Sequence, residues 1–268
     1  MPSFSGMTMG TRHWLSAMLG LSAMLGLSAM LVALLPLVAG QPAQAQTSTH
    51  TQLVVLELFT SQGCNSCPPA DALMTEWAKK PGVLPISLHV DYWDYLGWKD
   101  TLSRKGHNVR QQDYARGIGN RQIYTPQVVI DGQFQAVGSN REAVEKALAK
   151  ASRQTHVPLR AERSKTKGWQ ILVPDMPNWQ GEAKLLLCRY DRKHDVTIER
   201  GENHGRTLSY LNVARAWNEF GRWNGQAGRY DVPDLDGTDW SHQGAVVMLQ
   251  MLNAGANGPI IGAVDLKP

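Results

Sequence analysis

The chain has 268 residues, of which 43% are hydrophobic and 19% charged, proportions that suit a globular protein of one large or two small domains. Its formal charge of +4 comes from Lys and Arg scattered without basic runs, which argues against a nucleic-acid partner. The sequence holds three cysteines and a single Cys-x-x-Cys, so one chain cannot build a closed four-cysteine zinc site.

The first 45 residues differ from the rest. Arg12 and His13 precede an apolar stretch from Trp14 to about Ala39, built from a stuttered six-residue unit. Ala43-Gln44-Ala45 follows, a small-x-small site of the kind signal peptidase cuts, so residues 1–45 read as a secretory signal and 46–52 as a linker. An uncleaved membrane anchor is the alternative, because the run is long enough to span a bilayer. Either reading places the remainder in a periplasmic or secreted, oxidising setting, and a membrane is a partner only if the segment is retained.

Leu53–Phe59 is a short apolar run rich in branched residues, as expected for a strand buried on both faces. Thr60–Gly63 turns the chain, and Cys64–Lys80 follows with Leu73, Met74, Trp77 and Ala78 at helical spacing. A second strand is expected over Val83–Val90, which makes a β-α-β opening with a parallel pair. A helix is expected around Asn108–Arg116. Strand Gln127–Ile130 then turns at Asp131-Gly132 into Gln133–Val137. Ser139-Asn140-Arg141-Glu142 caps a helix running to about Ser152. Beyond His156 short strands are expected at Val157–Ala161, Trp169–Val173, Ala183–Tyr190, Val196–Glu199, Ala245–Leu252 and Pro259–Leu266, a spacing that suggests an antiparallel sheet or sandwich. Arg206–Phe220 fits a strand or an amphipathic helix.

The chemistry-bearing motif is Cys64-Asn65-Ser66-Cys67 at the start of the first helix. Unpaired N–H groups and the helix dipole favour a thiolate there, so Cys64 reads as the more exposed, attacking sulfur and Cys67 as the resolver. Pro68 and Pro69 fit early helical positions, where a missing N–H is tolerated. A structural disulfide and half of a metal site are the competing readings.

Strand, Cys-x-x-Cys, helix and a later Thr125-Pro126-Gln127-Val128 resemble the thioredoxin superfamily. More closely, Glu57–Cys64, Cys67–Asp71, His89–Asp94, Tyr124–Gln127 and Gly201–Leu208 resemble a family of secreted bacterial proteins known as a domain of unknown function with a thioredoxin-like fold. The resemblance implies an α/β thioredoxin-like domain over 53–155, a mixed sheet flanked by helices, followed by a mainly β, sandwich-like region over 156–268. It further implies a cis proline at Thr125-Pro126 that offers its backbone to an extended substrate. It also implies a buried acid, Glu57, that exchanges protons with the resolving cysteine; pairing of Glu57 with a Lys or Arg is equally compatible with a carboxylate in an apolar strand.

Weaker candidates are Trp93, Tyr95 and Trp98 as a substrate-facing surface, His89 and Asp91 as metal ligands, Cys188 as a buried strand residue, and His204 with Arg206 as a loop reaching the site. The expected function is thiol–disulfide exchange on protein or peptide thiols, with Cys64 and Cys67 reacting, Glu57 accepting a proton, and Thr125, Pro126 and Trp93 holding substrate. No metal or other cofactor is required, since the disulfide carries the electrons. A copper(I)-binding metallochaperone and a non-catalytic thioredoxin-like adaptor are the alternatives.

Overall fold

The computed structural model describes residues 52–119, 122–164, 168–233, 235–253 and 255–267. The expected signal or anchor and most of the linker lie outside these residues. No described helix is long and apolar enough to cross a membrane.

The opening follows the pattern read from the sequence. Strand β1 (Val54–Thr60) and β2 (Val83–His89) pair in parallel, joined by α1 (Pro68–Trp77). Pro68 and Pro69 begin α1, which is shorter at both ends than the apolar spacing suggests, and Gly82 with φ 74° turns the chain into β2. Helix α2 (Lys105–Gly117) precedes the hairpin β3 (Gln127–Ile130) and β4 (Phe134–Val137), and β3 pairs antiparallel to β1. Helix α3 (Arg141–Ala151) starts at Asn140, whose side chain accepts from the Ala143 N–H at 3.0 Å.

The second half departs from expectation. Strands β5 (Arg160–Ser164), β6 (Gly168–Val173) and β9 (Gly228–Asp231) form a three-stranded sheet. The long strands β7 (Ala183–Thr197), β8 (Thr207–Trp223), β10 (Gln243–Asn253) and β11 (Ala256–Leu266) instead extend the first sheet, whose order is β11-β10-β7-β8-β2-β1-β3-β4. The junction is the parallel contact of β2 with β8 at Ser87 and Val213. Ser48–Pro268 clusters as one compact unit. The two-layer character expected there is real but local. Trp169, Ile171 and Val173 of β6 pack onto Leu185, Leu187, Val247 and Leu249 of β7 and β10. The ambiguous Arg206–Phe220 stretch is strand β8, held by β7 along nearly its whole length.

The eight-stranded sheet coils. At its β11 edge, the Ile260 N–H donates to the Asp131 carbonyl at 2.8 Å, in the turn between β3 and β4. Gly132, with φ 64°, makes this approach possible, since a Cβ there would lie 2.5 Å from the Gly258 carbonyl oxygen. Helix α2 sits inside the coil. Its Arg110 reaches Glu57 on β1 through Nε at 2.5 Å and Nη2 at 3.1 Å, and Gln250 on β10 through Nη1 at 3.1 Å. The Tyr114 hydroxyl donates to Glu57 and accepts from Gln250 at 3.0 Å, and the Trp217 ring of β8 lies 4.2 Å from the guanidinium.

Glu57, Arg110, Tyr114 and Gln250 are all buried, with Trp217 partly so. Removing one member of a buried pair strands the other charge at a cost of about 3–5 kcal/mol, whereas removing both can be nearly neutral. Arg110→Met is therefore expected to destabilise the fold by about that amount, and the double variant Arg110→Met with Glu57→Gln to recover most of it; urea unfolding midpoints of the two variants check this.

Candidate functional site

Strand parity decides which side chains meet the cysteine helix. Val54, Leu56 and Leu58 pack with Met74 and Trp77 of α1 and Val144 of α3, whereas Val55 and Phe59 pack on the opposite face with Tyr114. Glu57 falls on that second face and is engaged by Arg110, so the structure does not bring it to the cysteines.

Cys64 and Cys67 form a disulfide with Cα atoms 5.4 Å apart. Cys67 is the N-cap of α1, and Cys64 lies in the preceding turn, its N–H donating to the Ser61 carbonyl at 3.1 Å. Cys64 is 3% exposed and Cys67 0%, beneath an exposed Asn65-Ser66 tip. The helix N-terminus offers less than expected, because prolines at its first two positions remove two free N–H groups. The polar neighbour of Cys64 Sγ is instead the Ser66 hydroxyl, 3.4 Å away.

The turn is fixed from three directions. The Asp100 carboxylate accepts from the Gln62 N–H at 2.7 Å and lies 2.8 Å from His89 Nδ1. The Gln62 side chain accepts from Trp98 Nε1 at 2.8 Å and from the Thr101 N–H at 3.2 Å. From the second half of the chain, Asn203 Nδ2 donates to the carbonyls of Gln62 and Cys64 at 3.0 and 2.9 Å, and Arg206 Nη1 donates to Asn203 Oδ1 at 2.8 Å. The Gly201–Leu208 stretch thus reaches the site through Asn203, while His204 is exposed.

Trp93 links the turn to the proline loop. Gly63 leaves room for it, since a Cβ there would lie 3.2 Å from Trp93 Cβ, and Trp93 Nε1 donates to Thr125 Oγ1 at 2.7 Å. The Thr125–Pro126 bond is cis, and Pro126 is buried beside Gly138, itself close to Ala70 of α1. Tyr95, 76% exposed, stacks on Trp93 with ring centroids 6.2 Å apart.

Among the described residues, no group of three or more His, Cys, Asp or Glu side chains could hold a metal ion. His89 is bound to Asp100 and Asp91 to Asn108. Cys188 is a free thiol buried beside the Arg110–Glu57 pair, and burial pushes its pKa up. Two wide clefts, about 560 Å³ beside Pro158 and Arg229 and about 690 Å³ beside Gln112 and Ile123, include no residue of the cysteine turn.

A polar cluster beneath the disulfide escaped sequence reasoning. Asp71 of α1, Thr60 of β1, His89 of β2 and Tyr210 of β8 are all buried, and the rings of His89 and Tyr210 meet edge-on at 4.4 Å. Among the described residues, neither Asp71 oxygen, nor Thr60 Oγ1, His89 Nε2 or the Tyr210 hydroxyl makes a well-formed hydrogen bond. Burial raises the Asp71 pKa to about 7, with His89 and Thr60 drawing it back in part and Asp100 adding to the rise. Burial, with Asp71 and Asp100 nearby, also raises that of Tyr210. His107 closes the cluster from α2: its Nδ1 donates to the His89 carbonyl at 2.9 Å, and burial lowers its pKa to about 4.

These features define a class: a mixed α/β protein built on one large sheet, with a disulfide at a strand-to-helix turn. The chain belongs to the family described as "Protein of unknown function (DUF1223)", whose profile matches residues 55–250. It is similar to the solved structure of protein AGR_C_4864 from Agrobacterium tumefaciens, with 30% identity and a TM-score of 0.68 over 80% of this chain and 94% of that one. It also shares its fold with HBP35 of Porphyromonas gingivalis, at 13% identity and a TM-score of 0.54, over 81% of this chain and 76% of that one. Among curated proteins, none matches the chain.

Asp71 gives a pH signature. The folded protein holds its proton up to about pH 7, whereas a free aspartate releases it near 3.8, so stability is lost as pH rises through that interval. Asp71→Asn cannot ionise. With the disulfide intact it is expected to unfold at higher temperature than wild type at about pH 8, and at the same temperature below about pH 4; a thermal series across that range checks it.

Proposed function

We propose that the protein is an exported thiol–disulfide oxidoreductase with a thioredoxin-like core, acting on protein or peptide thiols. The observation that carries this reading is the Cys64–Cys67 disulfide at the start of α1, joined through Trp93 to a cis Thr125–Pro126 loop. Sheet order supports it as well. The β2-β1-β3-β4 portion is a mixed sheet with α1 and α3 on one face and α2 on the other, which supports the thioredoxin-like part of this reading.

In this reading Cys64 carries the mixed disulfide with a client, and Cys67 is the sulfur that leaves Cys64 or returns to it as the pair opens or closes. Thr125 and Pro126 meet the extended client, and the exposed face of Tyr95 on Trp93 widens the surface it crosses. Glu57 takes no part, because its carboxylate is committed to Arg110 on the far face of β1. The remainder of the fold serves to hold the turn, with Asn203 and Asp100 fixing its backbone.

A Cys67→Ser variant is expected to accumulate covalent adducts with exported thiol proteins that reductant dissolves, and Cys64→Ser to form few or none. Non-reducing electrophoresis of the two variants recovered from an oxidising compartment reads this out. The potential of the wild-type pair should fall between about −270 and −120 mV, the range of catalytic dithiols. A value below about −300 mV would mark an inert structural bridge.

A further inference from the structure

We propose that Asp71 is the group that takes the proton from the Cys67 thiol as the Cys64–Cys67 bond forms, and returns it when that bond opens. The proposal rests on the oxidoreductase reading and assigns its proton chemistry to a residue outside the cysteine motif.

Position comes first. Cys67 and Asp71 lie four residues apart across the first turn of α1, where the Asp71 N–H donates to the Cys67 carbonyl at 3.1 Å. Side chains at that spacing share one helix face, which places Asp71 on the face of α1 that carries Cys67. Both side chains are buried, at 4% and 0% exposure, which separates Cys67 from solvent bases. A resolving thiol in such a place needs an internal acceptor.

Availability comes second. A buried carboxylate normally has hydrogen-bonded partners, because an unpaired one is costly. Glu57, engaged by Arg110, Tyr114 and through them Gln250, obeys that rule. Asp71 meets it only weakly: neither oxygen makes a well-formed hydrogen bond among the described residues, and the Thr60 hydroxyl is the one hydrogen-bonding group that acts on it. The carboxyl is thus not locked to a partner, and the pKa near 7 puts it where it can gain or lose a proton at neutral pH.

The groups facing Asp71 complete the device. His89 of β2 and the Thr60 hydroxyl of β1 favour its ionised form, while Asp100 favours the protonated one. Tyr210 of β8 stays protonated beside it, and Arg206 acts on Tyr210 from the Asn203 loop. His89 is held through Nδ1 by Asp100, so its Nε2 remains free in the same interior.

With an aromatic disulfide as oxidant, the steps balance as follows. The Cys64 thiolate attacks one sulfur and expels the first aryl thiolate, leaving a mixed disulfide. Cys67 passes its proton to the Asp71 carboxylate, then attacks Cys64 Sγ; the Cys64–Cys67 bond forms and the second aryl thiolate leaves. The probe gains two electrons, the dithiol loses two, and the proton rests on Asp71.

5,5′-Dithiobis(2-nitrobenzoate) separates these steps, because each expelled aryl thiolate is coloured. Reduced full-length exported protein is mixed with it in stopped flow between pH 5 and 9. In wild type the second release is expected to rise with pH through an inflection near 7. In Asp71→Asn the first release should stay within about twofold, while the second slows at least tenfold at pH 7 and loses the inflection. An unchanged second release, in rate and pH profile, overturns the proposal. A wild type that gives no second release, or a Cys67→Ser variant that still gives it, refutes instead the oxidoreductase reading beneath it. Should Asp71→Asn fail to fold, infrared difference spectra of wild type decide. With ¹³C-aspartate label, the protonated-carboxyl band that Asp71 holds near pH 6 should shift when the dithiol is oxidised, and no labelled change overturns the assignment.

Discussion

The pairing of Arg110 with Glu57 is the constraint on which the rest of the architecture depends. It joins β1, in the first third of the chain, to α2 and, through Gln250, to β10 near the end. A guanidinium has five donors in a rigid fork, and here they are shared between a carboxylate, a tyrosine hydroxyl and an amide oxygen, with the Trp217 ring against the cation. Such a cluster stabilises little in net terms, since desolvation offsets most of the attraction. Its effect is on geometry. These groups come from β1, α2, β8 and β10, and they meet in the same coiling that carries β11 round to the β3–β4 turn.

Fixing the coil also fixes the cysteine turn. With β8 beside β2, the loop after β7 arrives above Gln62 and Cys64, and Asn203 can bind both carbonyls. The same juxtaposition puts Tyr210 against His89 and encloses the polar groups beneath the disulfide. Two halves that read as separate bodies therefore build one site: one supplies the sulfurs, and the other supplies the clamp and part of the floor.

What was legible in the sequence follows from the range of each interaction. β1 to β4 and α1 to α3 were readable because prolines at Pro68 and Pro69, the Asn140 cap and the Asp131-Gly132 turn are local signals. The cysteine pair and Thr125-Pro126 were readable as motifs. The continuation of the sheet was not, because β2 and β8 touch at residues more than a hundred positions apart and neither carries a mark of its partner. Glu57 carried two readings, proton exchange with the resolving cysteine and pairing with a Lys or Arg, and the Arg110 contact is the second of them. An apolar strand buried on both faces does not announce which parity faces the helix, so the acid resembled the one expected near the cysteines. Asp71 was within reach, since its spacing from Cys67 is a helical one. Its want of a well-formed hydrogen bond, which sets it apart from Glu57, exists only in three dimensions.

The single parallel contact of β2 with β8 also has a temporal meaning. Until residues near Val213 have been made, β2 presents an unpaired apolar edge, with Leu84, Ile86 and Leu88 lacking the strands that will cover them. A chain delivered from its N-terminus must keep that edge open while more than a hundred further residues emerge. The β1-α1-β2 unit therefore cannot complete its core as it appears, and closure of the sheet waits for nearly the whole chain. Topologies with such distant partners fold slowly and are vulnerable to association in the interval. The interval in which this chain is most open to association therefore ends only when β8 meets β2.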